Sequence, residues 1–314
     1  MKDLYKLVNI SKQAIYQQKQ VAETNLLLAD ALVEQIIKLR IKHPVMGLKK
    51  LYSLLKPEIG RDKFIEIAVA NGLKSVKCRS FKRTTYAARG YKYTNLLENK
   101  WVTDVNQVWV SDITYFQVVD KFYYISFIMD AYSRYIVGYN LAKTLQANNA
   151  LEALNFAVEK RKITKTTNLI HHSDKGTQYL SNDYLKVLNE HNIRVSLAKM
   201  VLENSHAERL NGIIKNEYLV PYKITDYQHL QKALAFAVNY YNQERPHWEL
   251  NLKNPTEFET DLQQIPLNQR TKMNFFVDKT TGRHSAKLTS LNLFLTMNKL
   301  QKKSTYFRTR HLNS

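Results

Sequence analysis

The chain contains a single cysteine, Cys78, and no run of 18 apolar residues. One cysteine cannot form a disulfide within the chain, and without such a run no membrane-spanning helix is expected. The first residues are too polar for a secretory signal peptide, so we expect a cytoplasmic protein. Hydrophobic residues occupy 44% of the 314 positions, which indicates a folded chain with room for two or three domains.

Negative charge is scarce at both ends of the chain, and this asymmetry indicates a polyanionic partner. Residues 1–106 hold 20 Lys/Arg against 9 Asp/Glu, and residues 263–314 hold 10 Lys/Arg against one Asp. Residues 107–262 hold 17 of each sign. A neutral body with two basic flanks is typical of a protein that grips nucleic acid. Solubility, or unspecific binding of the ribosomal kind, is the alternative explanation.

One carboxylate lies inside an apolar segment. Residues 107–117 are rich in β-branched and aromatic side chains on both faces, which predicts a central strand. Asp112 lies in the middle of this strand. An ionised carboxylate in such a place is very costly unless it is paired or coordinates a metal ion.

Two further carboxylates follow at the ends of predicted elements. A short, partly apolar run from Asn168 predicts a buried strand that ends at Asp174, where open α/β sheets place their chemistry. Glu208 lies on a predicted helix that Glu203 or Asn204 would cap. Hard oxygen ligands of this kind suit Mg²⁺ or Mn²⁺ held jointly with substrate phosphates, and not zinc.

Five motifs surround these carboxylates and occur in a fixed order. They are Trp109-Val-Ser-Asp-Ile-Thr-Tyr, Asp130-Ala-Tyr-Ser-Arg-Tyr-Ile-Val-Gly, His172-Ser-Asp-Lys-Gly-Thr-Gln-Tyr, Asn204-Ser-His-Ala-Glu-Arg and Tyr241-Asn-Gln-Glu-Arg-Pro-His. With them the chain resembles the DDE transposases of bacterial insertion sequences, the second-frame products whose catalytic domain is similar to retroviral integrases. The resemblance covers roughly residues 35–260.

The resemblance implies a ribonuclease-H-like α/β core over residues 107–262, with a mixed five-stranded sheet and helices. The predicted order of three meandering strands, then alternating helices and strands, agrees with it. The implied activity is metal-dependent DNA cleavage and strand transfer by a polynucleotidyl transferase with endonuclease activity. Two ions, Mg²⁺ or Mn²⁺, would be held by the trio: Asp112 would bridge both, while Asp174 and Glu208 would each hold one.

The same resemblance implies partners. The first is double-stranded DNA, both the element's terminal inverted repeats and the target DNA. The protein would act as a homo-oligomer on that DNA. An upstream-frame helix-turn-helix protein is the other implied partner. The expected place in the cell is the nucleoid. Because Cys78 is the only cysteine, the His₂Cys₂ zinc module that precedes the core of retroviral integrases cannot form here.

Residues 1–73 are predicted to be helical. Two short apolar-spaced segments flank Asn9-Ile-Ser, with Ser11 capping the second, and suggest a minimal helix-turn-helix. A plain helical hairpin fits the spacing equally well. An amphipathic helix over 24–40 is predicted next, followed by a break at Pro44 and Gly47 and two further helices. By resemblance this region binds DNA.

Residues 74–106 are predicted to be a basic linker and residues 263–314 a basic tail. Seven basic residues and no acidic one lie from Lys74 to Lys92, with aromatic residues among them. This mixture favours an arm that tracks DNA over a solvated linker. The candidate DNA contacts are Lys82, Arg83, Lys175, Gln178, Asn204, Asn211, Lys215 and Arg245.

Several of these assignments keep an alternative. Lys215 shares a helix face with Glu208, where a phosphate contact and plain solvation are both reasonable. Arg245 would contact DNA or cap the preceding helix. His171 and His172 are interpreted as structural, and a metal-ligand role for His172 is the less favoured reading.

One departure from the resembling family concerns spacing. The interval from Asp174 to Glu208 is two residues shorter than is usual there, near Lys199. A shorter loop could be less mobile than in the family, and this copy could be inactive. A catalytically inactive, transposase-derived DNA-binding regulator is therefore the alternative function. A ribonuclease H proper would not need the basic flanks.

Overall fold

The computed structural model describes residues 11–75, 93–199 and 201–274. Within these residues no helix is both long and apolar enough to cross a membrane. The predicted DNA contacts Lys82 and Arg83 lie outside the described residues, as do residues 1–10 and 275–314. In chain order, the elements are α1 (Lys12–Lys42), α2 (Leu48–Leu55), α3 (Arg61–Ala70), β1 (Trp101–Val102), β2 (Val108–Val118), β3 (Lys121–Asp130), β4 (Ile136–Ala142), α4 (Ala147–Arg161), β5 (Ile170–Ser173), α5 (Asn182–Glu190), β6 (Arg194–Leu197), α6 (Ser205–Ile213), α7 (Tyr227–Gln243), α8 (Pro255–Leu262) and β7 (Met273–Asn274).

The N-terminal region is helical, as expected, but its first helix is continuous. Ser11 caps α1, and its hydroxyl accepts a hydrogen bond from the backbone N–H of Ala14 at 3.0 Å. The prediction of a separate helix over 24–40 is wrong, because residues 17–23 contain no glycine or proline to interrupt the helix. The first segment of the suggested helix-turn-helix lies outside the described residues.

α1, α2 and α3 share one small core and rest against the rest of the protein. Ile36, Leu51 and Phe64 are fully buried against one another. The end of α1 contacts the larger domain, where the Lys42 ammonium lies 2.9 Å from the Glu244 carboxylate. This ion pair, with the ring of His43 centred 5.6 Å from that of Tyr240, places the helical region beside α7.

The larger domain is built on a five-stranded mixed sheet in the order β4-β3-β2-β5-β6. β2, β3 and β4 form an antiparallel meander, and β5 and β6 join β2 in parallel. This is the predicted ribonuclease-H-like arrangement, in which β2 is the central strand. The parallel neighbours require crossover connections, which α4 and α5 supply.

Helices cover both faces of this sheet because β2 is apolar on both sides. Trp109 points to the face covered by α4 and α5, while Val110 points to the face covered by α6 and α7. All of β2 from Val108 to Ser111 is buried. The sheet therefore forms the middle of a three-layer core and holds Asp112 rigidly at the end of this buried stretch.

Parts of the predicted linker and of the predicted tail belong to the folded core. Leu97 and Val102 are only 1% and 0% exposed and belong to the core, so residues 95–106 are not a linker. β1 pairs antiparallel with β7, and the Arg270 guanidinium donates to the Asp104 carboxylate. The apolar side chains in both segments complete the same cluster, so residues 95–106 and 273–274 belong to the folded core.

Candidate active site

Asp112 and Asp174 lie side by side at the edge where β2 and β5 meet. The parallel register pairs Ser111 with Ser173, and each aspartate is the next residue along the chain: Asp112 within β2, and Asp174 directly after β5. Residues in register on adjacent strands lie roughly 5 Å apart. The expectation that strands deliver these two carboxylates to one place is therefore met by the register itself.

The Asp112 carboxylate is held by two donors. Its Oδ1 accepts a hydrogen bond from the backbone N–H of Ile113 at 3.0 Å, and its Oδ2 accepts one from the Asn211 amide at 2.8 Å. Both donors favour the charged carboxylate. Asn211 lies one turn after Glu208 on α6, so the same contact places α6 over the strand.

Two more contacts fasten this helical segment along β2. The Asn204 amide donates to the Ser111 carbonyl at 3.0 Å, and the Lys215 ammonium donates to the Thr114 hydroxyl at 3.3 Å. Asn204 occupies the N-cap position of α6, but neither its side chain nor that of Glu203 caps the helix. The prediction of a side-chain cap is wrong, because Asn204 turns towards the strand instead.

Glu208 lies on the exposed surface of α6 and acts on Asp112 through its charge. Within the described residues, no three side chains of His, Cys, Asp or Glu are close enough together to hold one metal ion as they stand. The structure thus brings Asp112 and Asp174 together and sets Glu208 at their margin.

Burial, followed by the negative charges of Asp174 and Glu208, raises the pKa of Asp112 to about 8. Burial also raises the pKa of Asp174, against the lowering effect of the Gly176 N–H. A carboxylate pair in this state binds a proton readily, and a cation in the same place would take over its role.

Two buried amide oxygens adjoin these carboxylates. Within the described residues, the Oδ1 atoms of Asn204 and Asn211 are buried and have no hydrogen-bond partner. Amide and carboxylate oxygens are both ligands that Mg²⁺ and Mn²⁺ accept. The donor chemistry of this patch fits a hard divalent cation.

Gly176 leaves room for the Asp174 carboxylate in the loop after β5. The Gly176 N–H donates to Asp174 Oδ1 at 3.0 Å, and a Cβ on Gly176 would lie only 3.0 Å from that same oxygen. Lys175 and Gln178 flank this loop, and their side chains reach the carbonyls of Lys199 and Leu145. Both side chains are half-buried.

The two histidines before Asp174 are structural, as interpreted. The ring nitrogens of His172 lie 2.8 Å from the Ser196 hydroxyl and 3.2 Å from the Glu203 carbonyl, so both have partners inside the protein. Burial lowers the pKa of His171 to about 3 and that of His172 to about 4. Neutral imidazoles with hydrogen-bond partners inside the protein hold β5 in place here.

Arg245 points into the protein. Its Nε and Nη2 each donate to the Glu217 carboxylate at 2.8 Å, and the side chain is almost fully buried. A bidentate pair of this kind uses the donors that a phosphate would need. We therefore do not propose Arg245 as a DNA contact. Nor does it cap α7 with its side chain, since the guanidinium binds Glu217.

The Asp130 motif proves to be scaffold. Asp130 is fully buried, and its carboxylate accepts from the backbone N–H groups of Asn106, Tyr132 and Ser133. Burial raises its pKa to about 6. These bonds shape the turn between β3 and β4, where Arg134 adopts a left-handed conformation at φ 63°.

Known proteins share this core. Models of the integrase core domain match residues 102–200 and 193–255. The chain is 28% identical to the transposase of insertion sequence element IS629 from Shigella sonnei, over 69% of this chain and 74% of that one. Over this integrase core, the chain is similar to transposases of bacterial insertion sequences. It is also 35% identical to transposase InsF for IS3A of Escherichia coli K12, over 40% of this chain and 44% of InsF.

The matched integrase core and the similarity to transposases support an enzyme of the polynucleotidyl-transferase type. Among solved structures, the HTLV-2 integrase catalytic core domain in complex with magnesium aligns at a TM-score of 0.40 and 21% identity, over 49% of this chain and 97% of that one. The fold assignment of this integrase core rests on the strand order and register described above.

We expect the Asp112→Asn variant, without metal ions, to exceed the wild type in stability by a margin that grows with pH. The folded wild type keeps a proton on Asp112 up to about pH 8, whereas the unfolded chain loses it near 3.8. The stability linked to this proton is therefore complete at low pH and is lost as the pH approaches about 8. The gain there should be on the order of 1–3 kcal/mol.

Thermal melts at acidic and mildly alkaline pH measure this margin. Asp120→Asn, which removes an exposed carboxylate from the turn between β2 and β3, is the matched control. A margin that did not change with pH, or that the control reproduced, would contradict the assignment of a raised pKa to Asp112.

Proposed function

We propose that this protein cuts DNA at the ends of an insertion sequence and joins the freed strands to target DNA. The observation that carries the proposal is the placement of Asp112 and Asp174 on adjacent strands, beneath a helix that bears Glu208. An integrase core provides the family context. Nothing observed favours an inactive regulator, because all three carboxylates are present.

Asp112, Asp174 and Glu208 would together hold two divalent ions, either Mg²⁺ or Mn²⁺. Such ions supply charge stabilisation for the attacking and leaving oxygens of a phosphodiester displacement. The fit rests on the all-oxygen donor set, the two unpartnered amide oxygens of Asn204 and Asn211, and the raised pKa of Asp112.

The chain's own residues prepare this place. The donors Ile113 and Asn211 hold the Asp112 carboxylate in one orientation, and the Gly176 N–H does the same for Asp174. Contacts from Asn204 and Lys215 to β2 fix the helical segment, so Glu208 has a rigid support. Groups held in this way need little reorganisation when substrate arrives.

DNA would lie along the same edge. Lys175 and Gln178 flank the Asp174 loop, and Lys215 lies beyond Asn211 with its ammonium 4.7 Å from the centre of the Tyr115 ring. The basic flanks of the sequence add unspecific attraction to phosphates. We further propose that the enzyme acts as a homo-oligomer on the element's terminal repeats. An upstream-frame helix-turn-helix protein is the remaining proposed partner.

The test is metal dependence of cleavage. With DNA that carries the element's ends, we expect nicking and joining with Mg²⁺ or Mn²⁺, binding without cleavage in Ca²⁺, and no reaction in EDTA. The products are resolved on denaturing gels. A scrambled-end duplex is the substrate control. Full activity in EDTA would refute the proposed metal role.

A further inference from the structure

A cavity lies behind the helix that carries Glu208. It encloses about 450 Å³ and is lined on one side by His206, Leu210, Ile213 and Glu217. These positions recur at helical spacing on the face opposite to Glu208, Asn211 and Lys215. We call this cavity the rear pocket. Because it opens on the other face of the helical segment, it is separate from the carboxylate site.

Positive charge exceeds negative charge in the rear pocket. Four cationic side chains line it, against two carboxylates. The cations are Lys50, Arg134, Arg209 and Arg245, and the carboxylates are Glu217 and Glu249. Four against two leaves an excess of two positive charges along the lining.

The ion pairs within the pocket involve its three arginines and do not include Lys50. Glu217 is taken by Arg245, and Glu249 lies 2.9 Å from Arg134 and 3.1 Å from Arg209. Lys50 forms no ion pair within the part of the chain that the structure describes. It comes from α2, so the helical region contributes this charge to a cavity otherwise formed by the core.

The two histidines of the pocket add no charge. Burial lowers the pKa of His206 to about 3 and holds that of His247 well below its ordinary value, and neighbouring arginines act in the same direction. Burial, followed by the charge of Arg245, also lowers the pKa of Lys50 to about 8. An anion in the pocket would offset the cost of this buried ammonium.

Size and aromatic lining indicate what kind of anion fits. The volume lies within the range of about 300–1,000 Å³ that is typical of small-molecule sites, and it exceeds what a single phosphate fills. Trp248 lies in the lining with 58% of its surface exposed. An exposed aromatic ring beside a basic cavity is the usual platform for an unpaired base.

We propose that the rear pocket binds one unpaired nucleotide of a DNA strand, with its phosphate at Lys50 and Arg209 and its base on Trp248. This inference rests on the proposed function, because it assumes a DNA substrate. It goes further, since a nucleotide held between α2 and the core would tie the helical region to the catalytic domain when DNA is engaged. The competing explanation is a purely structural ion network.

The experiment measures the binding of a labelled single-stranded oligonucleotide of roughly six nucleotides by fluorescence anisotropy in EDTA. Lys50→Gln should weaken binding about tenfold, since it removes a charge-assisted phosphate contact. Trp248→Ala should weaken it by about five- to tenfold through lost stacking. Inorganic phosphate should compete with the oligonucleotide for the wild type and much less for Lys50→Gln.

Matched controls separate the pocket from general charge and surface effects. Lys49→Gln removes an exposed lysine next to Lys50, and Trp101→Ala removes a tryptophan that is 56% exposed elsewhere. Both should change binding by less than about twofold. Thermal melts of all four variants show whether any loss of binding reflects unfolding.

Equal losses for Lys50→Gln and Lys49→Gln would overturn the pocket, because the effect would be general charge. An unchanged affinity for Trp248→Ala would overturn the nucleotide assignment. A lower melting temperature of Lys50→Gln with unchanged binding would support the structural network instead. Because no cleavage occurs in EDTA, the result does not depend on whether the carboxylate trio cuts DNA, so failure here and failure of the proposed function remain distinguishable.

Discussion

The Glu208→Gln variant is expected to lose DNA cleavage and joining by at least about a thousandfold while it still binds DNA. The substitution keeps the side-chain volume and removes the one charge that Glu208 would offer to a metal ion. Asp112→Asn and Asp174→Asn should show the same loss. The double and triple variants should lose little more, because groups that hold the same ions act as a unit. Gel assays of nicking and strand joining measure the rates.

The matched control is Glu190→Gln, which removes an exposed glutamate at the end of α5 and should leave the rates unchanged. DNA binding of the trio variants should hold or tighten, because a negative charge near phosphates has been removed. If Glu208→Gln cut DNA at the wild-type rate, the shortened interval after Asp174 would have led to the wrong third ligand.

Glu203 and Glu217 are the other glutamates near Glu208 that could serve as the third metal ligand, and both are already engaged. Both oxygens of Glu217 accept from Arg245, and the Glu203 carboxylate accepts from Asn95 and from the Lys199 N–H at 2.6 Å. Either residue would have to give up these bonds to reach a metal ion. Glu208, on a helix that Asn211 fastens to Asp112, has the better position.

The Arg245→Met variant is expected to be destabilised by about 2–4 kcal/mol. Arg245 is buried, and its removal leaves the partly buried Glu217 carboxylate without its bidentate partner. Methionine keeps much of the apolar stem, so the loss reports mainly on the charge. For a domain of this size, the melting temperature should fall by roughly 5–15 °C.

Two comparisons check that reading. Arg209→Gln breaks a pair whose side chains are 69% and 47% exposed, and it should cost no more than about 1 kcal/mol. The double variant Arg245→Met with Glu217→Gln should recover part of the lost stability, because no unpaired charge remains. A melting temperature of Arg245→Met within a degree or so of the wild type would show that the pair contributes little.

The sequence by itself determined the fold and the order of its elements. The two-sided apolar character of residues 107–117 requires a buried central strand, and the meander followed by alternating helices and strands leads to the observed sheet. It also singled out Asp112 and Asp174, because a charged residue inside an apolar run, or directly after one, is conspicuous. These features are local, so periodicity and composition report them.

Only the tertiary structure decided which polar side chains face each other. Arg245 looks like a surface cation in sequence, yet it fills its donors with Glu217, 28 residues earlier. Residues 95–106 look like a linker but complete the core through β1 and β7. The rear pocket joins Lys50, Arg134 and Arg209 from three distant segments. Such contacts depend on how elements pack over long sequence separations, and no local pattern encodes that packing.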